Sequence, residues 1–258
     1  MNGTEARLAR IRGRALPRSH NARTIAALAS NPGCARRAIM DTAGADKQRL
    51  AAHAGFPASL GQSRFALTRG NAFEAQVKAN GAAELLRMLR EHLCLPIPEA
   101  SYDDLSEVGG NISLELRHVR TRNMLAHAAR SAGAAGAAGD ATAPRDAAPD
   151  SDAGTMFDHP LLRLEVGGRP AYLEPDLIAF QIRGQFHVVE IKSFAVIDGR
   201  ADGDKVAAAA IQSAVYVLAL RDALAELGIP PAAVADETIL VCPRIGLCRM
   251  GAPARPLV

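Results

Sequence analysis

The pattern of the segment from Asp176 to Lys192 changes to the period of two that is typical of β-strands. Two such runs, Asp176 to Ile182 and Gln185 to Lys192, are separated by the turn-forming pair Arg183-Gly184. This pattern predicts a β-hairpin. Its open end brings Asp176 from the first arm beside Glu190 and Lys192 from the second. The sequence therefore predicts a charged hairpin corner, and any fold must accommodate these three residues side by side.

The rest of the chain alternates between helical patterns and one further strand. Apolar residues at three- and four-residue spacing predict helices, and a short apolar run predicts a buried strand. The helices are Ala22–Ser30, Asn71–Leu93, Ile112–Arg130 and Val206–Leu227, and the strand is Thr238–Cys242. Gly81 is expected to weaken the second helix locally. This order predicts an α/β fold with a mixed central β-sheet flanked by helices.

A low-complexity segment divides the chain of 258 residues. The stretch from Ser131 to Gly154 is rich in alanine and glycine and lacks large apolar side chains, as is typical of a flexible insertion. We therefore expect four parts: a basic N-terminal segment (1–21), a helical part (22–130), the insertion (131–155) and a core (156–258) that carries the hairpin.

Composition excludes several classes of protein. The sequence has no apolar run near the ~20 residues of a membrane span, and its arginine-rich start has no apolar signal-peptide region. We therefore expect a cytoplasmic location. The net charge of +3 is too small to imply a nucleic-acid partner by itself. The chain also lacks the GK[ST], G-x-S-x-G and HExxH motifs of P-loop ATPases, serine hydrolases and zinc proteases.

The hairpin corner has the composition of a divalent-metal site. Two neighbouring carboxylates, Asp176 and Glu190, repel each other unless a cation lies between them, and hard oxygen ligands suit Mg²⁺ or Mn²⁺. Lys192 shares a strand face with Glu190 and could help to activate water or stabilise charge on a phosphoryl group. This combination favours phosphodiester hydrolysis. The alternative interpretation is an exposed ion pair at a strand end.

These residues resemble the motifs of the PD-(D/E)xK nuclease superfamily. Glu174-Pro175-Asp176 is followed after thirteen residues by Glu190-Ile191-Lys192. Gln212 and Tyr216, four apart on the next helix, resemble the Q-x-x-x-Y motif of the RecB-type branch, which includes CRISPR-associated RecB-like exonucleases and the nuclease domains of helicase–nucleases. Upstream, Gly70-Asn71-Ala72-Phe73-Glu74 is similar to the first motif of that branch.

The resemblance implies a restriction-endonuclease-like core and a metal-dependent deoxyribonuclease. Asp176, Glu190 and Glu74 would hold Mg²⁺ or Mn²⁺, and Lys192 would assist the attacking water. Gln212 and Tyr216 would meet the site or the DNA backbone.

The implied partner is DNA. The implied process is repair, recombination or defence against foreign DNA, and the protein partners would be those of a repair or defence complex. The basic segments near Arg36, Arg37 and Arg117–Arg130 could bind its backbone. Two other readings stay open: a non-catalytic nucleic-acid-binding or assembly module with the same fold, and an unrelated metal-binding α/β protein.

The four cysteines match a further feature of the RecB-type branch only in part. Many relatives place one cysteine near the amino end and three near the carboxyl end around an iron–sulfur cluster. Cys34, Cys242 and Cys248 resemble three of these positions, but Ile239 stands where the fourth belongs. Cys94 would have to supply the missing thiolate, because such clusters normally take four. We therefore expect small buried thiols and no cluster.

Overall fold

The computed structural model describes residues 3–56, 63–93, 100–106, 112–137, 154–182, 185–194, 196–197, 200–243 and 247–250. The helices within these residues are α1 (Gly3–Arg12), α2 (Ala22–Ala29), α3 (Ala35–Ala43), α4 (Lys47–His53), α5 (Arg64–Leu93), α6 (Leu114–Ala137) and α7 (Gly203–Ala225), with a 3₁₀ turn at Pro231–Ala233. The strands are β1 (Ala100–Asp104), β2 (Gly154–Asp158), β3 (Leu162–Val166), β4 (Arg169–Leu173), β5 (Leu177–Ile182), β6 (Gln185–Ile191), β7 (Val196–Ile197), β8 (Arg200–Ala201), β9 (Thr238–Val241) and β10 (Leu247–Met250).

Six strands form one mixed sheet in the order β1-β2-β5-β6-β9-β10. The pairs β1–β2 and β6–β9 are parallel, and the other neighbours are antiparallel. Helix α7 connects β6 to β9, as a parallel connection requires a crossover. The strand pairs β3–β4 and β7–β8 lie outside this sheet. The predicted fold class, a mixed central sheet flanked by helices, is confirmed.

Neighbouring residues of each central strand pack into two different cores, one on each face of the sheet. Val188 belongs to the core formed with α2, α6 and α7, whereas Val189 belongs to the core formed with α5. This alternation is the geometric consequence of a pleated strand. The sheet is therefore the middle layer of three, and a side chain at its edge belongs either to the α5 face or to the α7 face.

Helix α5 is interrupted in its middle. Ala79 is extended, and Asn80, Gly81 and Ala82 have φ angles of 53°, 65° and 58°, in the left-handed region. Glycine and asparagine adopt this region readily, whereas Ala82 costs about 1 kcal/mol there. The predicted weakness at Gly81 is confirmed. As a result, Lys78 ends the first half of α5.

The predicted hairpin corresponds to β5 and β6, with Ile182 paired to Gln185; the turn Arg183-Gly184 lies outside the described residues. Helix overlaps the start of the segment predicted to be a flexible insertion. Helix α6 continues through Ser131 to Ala137, because alanine-rich sequence favours helix, and β2 already begins at Gly154. Residues 138–153 lie outside the described part of the chain.

Helix α7 is long and apolar enough, with a mean hydropathy of 1.3, to pass a test of length and composition for a membrane span. Core helices of globular proteins pass the same test. In this fold α7 buries Val215, Tyr216, Ala219, Leu220 and Leu224 in the core.

Candidate active site

Four strand ends meet at one edge of the central sheet. The strand registers pair Asp104 with Asp158, Asp158 with Leu177, and Leu177 with Val189. Because β5 and β6 are antiparallel, the next position places Asp176 opposite Glu190. The carboxylates of β1, β2, β5 and β6 are thus brought to a single edge, although they are far apart in sequence.

The hairpin corner forms as the sequence predicts. The backbone N–H of Ile191 donates a hydrogen bond of 2.6 Å to Asp176 Oδ2, which fixes this carboxylate against β6. The Lys192 ammonium donates to Glu190 Oε1 and is 24% exposed. Glu190 and Lys192 lie on the same strand face as Val188, which packs on the α7 side.

The buried Glu190 carboxylate is only partly hydrogen-bonded. Its side chain is 1% exposed, and no hydrogen-bond donor reaches its Oε2 atom. Burial and the neighbouring charge of Asp176 raise the pKa of Glu190 to about 7, although Lys192 acts in the opposite direction. Burial also raises the pKa of Asp176. Leaving a buried acceptor without a partner is costly, and such an atom calls for an explanation.

Helix α7 places the predicted Gln212 and Tyr216 beside this corner. Gln212 Nε2 donates to the Tyr216 hydroxyl over 3.2 Å, and that hydroxyl donates over 3.1 Å to the backbone carbonyl of Glu174. Burial raises the pKa of the Tyr216 phenol, and the negative charges of Glu190 and Asp176 raise it further. The pair therefore anchors the chain directly before Asp176.

A second carboxylate cluster, the β2-end cluster, lies at the same edge on the α5 face. It consists of the carboxylates Asp158 and Glu74 with Lys78, Tyr102 and His159. Lys78 Nζ lies 2.7 Å from Asp158 Oδ1 and 2.5 Å from Glu74 Oε1, and the Tyr102 hydroxyl donates to Asp158 Oδ2. Sequence reasoning missed this cluster, although the four-residue spacing of Glu74 and Lys78 indicated a shared helix face.

The Asp158 carboxylate is surrounded by the chain's own donors. Its Oδ1 atom makes no hydrogen bond, but the Lys78 ammonium lies 2.7 Å and His159 Nδ1 lies 3.1 Å from it as ion-pair partners. Burial opposes ionisation, yet bonds from His159, Lys78 and Tyr102 lower the pKa of Asp158 to about 2. Contacts with Asp158 and Glu74 likewise raise the pKa of Lys78 against the effect of burial.

The predicted ligand set is only partly brought together. Among the described residues, one group of three side chains of the types that bind metals has its ligand atoms within 4.8 Å of one another. It consists of Asp104, Asp158 and His159. Glu74 is close enough for its charge to act on Asp176, but its Oε1 atom is held by Lys78. Asp176 and Glu190 are thus adjacent, while Glu74 approaches them from α5 as a member of an ion pair.

Several arginines of the predicted DNA-binding segments have partners within the chain. Arg117 is 11% exposed and contacts Glu174 at 3.3 Å and the carbonyl of His159. Arg122 pairs with Glu226 at 2.8 Å, and Arg37 with Asp41 at 3.4 Å. The contacts of Arg117 and Arg122 join α6 to neighbouring elements, whereas the Arg37–Asp41 pair lies within α3. The sequence pattern alone did not distinguish these roles from DNA binding.

The cysteines occupy separate environments. Cys34 is half-buried immediately before α3, and Cys242 is buried beside Val196, Ala209 and Leu240. Cys248 lies in β10 opposite Leu240, and Cys94 lies outside the described residues.

Comparison of the chain with protein-family models, with curated proteins and with solved structures finds no match. The function is therefore inferred from the geometry of the site and from the motif resemblance.

Proposed function

We propose that the chain is a metal-dependent deoxyribonuclease with a restriction-endonuclease-like core of the RecB type. One observation carries this proposal: Glu190 Oε2 is buried without a hydrogen bond beside a second, half-buried carboxylate, Asp176. Two adjacent carboxylates with an unfilled oxygen suit Mg²⁺ or Mn²⁺, because a hard cation relieves both the repulsion and the unsatisfied acceptor.

The order of the elements supports the proposal. Asp176 precedes β5, Glu190 and Lys192 end β6 and follow it, and Gln212 and Tyr216 lie on the crossover helix α7. These pieces occur in the order of the motifs that they resemble. Their side chains converge on one face of one sheet edge, where a substrate phosphate can approach from solvent at the partly exposed Lys192.

The residues of the corner have separable roles. Asp176 and Glu190 would hold the ion, which would neutralise phosphate charge and lower the pKa of a bound water. Lys192 would donate to a phosphate oxygen as negative charge develops on it. Gln212 and Tyr216 would keep the Glu174 carbonyl, and hence Asp176, in place.

Hydrolysis at this corner requires one water molecule and no other reactant. The water oxygen bonds to phosphorus while the bond from phosphorus to the 3′ oxygen breaks. The water gives up one proton and the leaving 3′ oxygen takes up one. The products are a 5′-phosphate and a 3′-hydroxyl, as the motif resemblance implies.

A cleavage assay tests the proposal. The purified chain is incubated with end-labelled single- and double-stranded DNA in Mg²⁺, Mn²⁺ or EDTA. We expect cleavage only with a divalent ion, its loss in Asp176→Asn, and its retention in Asp104→Asn, a matched change in a carboxylate that pairs with His159. DNA binding without cleavage by the wild-type chain would favour the alternative, a nucleic-acid-binding module. A chain that neither binds nor cleaves DNA would contradict both the nuclease proposal and the binding-module alternative.

A further inference from the structure

Lys78 places a fixed positive charge between carboxylates at the edge proposed to bind metal. Its side chain is 9% exposed, and its ammonium lies 2.5 Å from Glu74 Oε1 and 2.7 Å from Asp158 Oδ1. These contacts join α5 to β2. A buried ammonium loses hydration, so its position requires compensation by nearby negative charge, which Glu74 and Asp158 supply.

The backbone supports this placement of Lys78. The first half of α5 ends at Lys78, because Ala79 is extended and the next three residues are left-handed. A helix C-terminus favours a cation. The break therefore sets the ammonium against the strand end where Asp158 lies.

The two carboxylate groups at this edge differ in what they still need. Asp158 Oδ1 and Glu190 Oε2 both lack a hydrogen bond, but Lys78 and His159 lie within 3.1 Å of Asp158 Oδ1, and the Tyr102 hydroxyl donates to Asp158 Oδ2. The Lys78 ammonium donates a hydrogen bond to Glu74 Oε1 and so holds Glu74 on the α5 face. The α5 face thus has Lys78 between its carboxylates, whereas on the α7 face Lys192 reaches Glu190 Oε1 and leaves Oε2 without a hydrogen bond.

We propose that the Lys78 ammonium serves as a built-in cation that occupies Glu74 and Asp158, so that this edge takes one divalent ion, at Asp176 and Glu190, instead of two. Lys78 is thereby a positioning residue that keeps Glu74 away from the metal. This inference rests on the proposed metal site at the hairpin corner.

Counting bound Mn²⁺ tests the inference without relying on activity. Free Mn²⁺ is followed by electron paramagnetic resonance during titration of the chain at pH 8. We expect one ion per wild-type chain and two per Lys78→Met chain, because methionine keeps the length of the side chain but removes its charge. Lys78→Arg should keep one ion. Adding Asp158→Asn to Lys78→Met should restore one ion.

The possible results separate the two proposals. Two ions per wild-type chain with DNA cleavage intact would overturn the inference alone, as would one ion in a folded Lys78→Met chain. A wild-type chain that takes up no Mn²⁺ would overturn the inference and the proposed function together. If Lys78→Met fails to fold, a count of two ions in the wild-type chain still overturns the inference.

Discussion

The hairpin corner and the β2-end cluster lie at one edge of the same sheet. Their buried carboxylates differ in the contacts around them and in the direction in which the pKa is shifted. Asp158 receives contacts from Lys78, Tyr102 and His159, and its pKa is lowered to about 2. Glu190 keeps an oxygen without a partner, and its pKa is raised to about 7. The difference teaches that an acidic cluster is not by itself a metal site. The informative feature is the number of donors around each carboxylate, which is three groups at Asp158 and Lys192 alone at Glu190 among the contacts described.

The largest expected difference between the two clusters is in metal binding and cleavage. Glu190→Gln should abolish detectable Mn²⁺ binding and DNA cleavage, because it removes a ligand at the hairpin corner. Glu74→Gln should cost only about 10-fold in cleavage, as for a residue that acts around the ligands. Calorimetric titration with Mn²⁺ and a cleavage time course measure both. Equal losses in the two variants would make Glu74 a ligand of the same rank.

A smaller effect is expected at Lys192, which would act on the phosphate and not hold the ion. Lys192→Met should lower turnover by about 10²–10³-fold and leave Mn²⁺ affinity nearly unchanged, because one electrostatic stabiliser is lost. Lys205→Met is the control, since Lys205 is an exposed lysine paired with Asp202. Wild-type turnover in Lys192→Met would refute the assigned role.

Without metal, neutralising the two carboxylates should change stability in opposite directions. At pH 8, Glu190→Gln should raise the free energy of unfolding by on the order of 1–3 kcal/mol, because it removes a buried charge next to Asp176. Asp158→Asn should lower it by on the order of 2 kcal/mol, because it breaks a satisfied network. Urea denaturation measures both, and changes of the same sign would contradict the comparison.

The pH dependence of these stability changes follows from the direction of each pKa. A raised pKa means that the wild-type chain loses stability as the pH rises from about 4.5 to about 7, so the advantage of Glu190→Gln should grow across that window. A lowered pKa means that the contribution of Asp158 is present above about pH 4 and disappears as the pH falls toward about 2. Denaturation at several pH values, in EDTA, checks both trends.

The smallest effect concerns two buried hydroxyl groups that repeat the contrast without charge. Ser213 Oγ in α7 is buried without a partner, whereas Thr121 Oγ1 in α6 accepts a hydrogen bond of 2.9 Å from the Leu161 N–H. Ser213→Ala should be neutral or stabilising by up to about 1 kcal/mol, and Thr121→Val destabilising by about 1–2 kcal/mol. A clear loss of stability in Ser213→Ala would show that its hydroxyl has a partner. Thermal melting distinguishes the outcomes.

Local pattern was sufficient for the elements whose signals lie within a few residues. The hairpin β5–β6, the buried strand β9 and the helices α2 and α7 follow from periodicity and from turn and end signals such as Gly228. The strands β1 and β2 were missed, because each is five residues long and their pairing joins residues more than fifty positions apart. Their positions depend on the sheet as a whole.

The sequence by itself determined that Asp176, Glu190 and Lys192 meet, because two adjacent strands joined by a short turn leave few other arrangements. It also determined that Gln212 and Tyr216 share a helix face. Only the tertiary structure decided that Lys78 on α5 meets Asp158 on β2 and holds Glu74, because that contact depends on how a helix docks onto a sheet assembled from distant segments. Compensation of charge is a property of packing, and packing is not local in sequence.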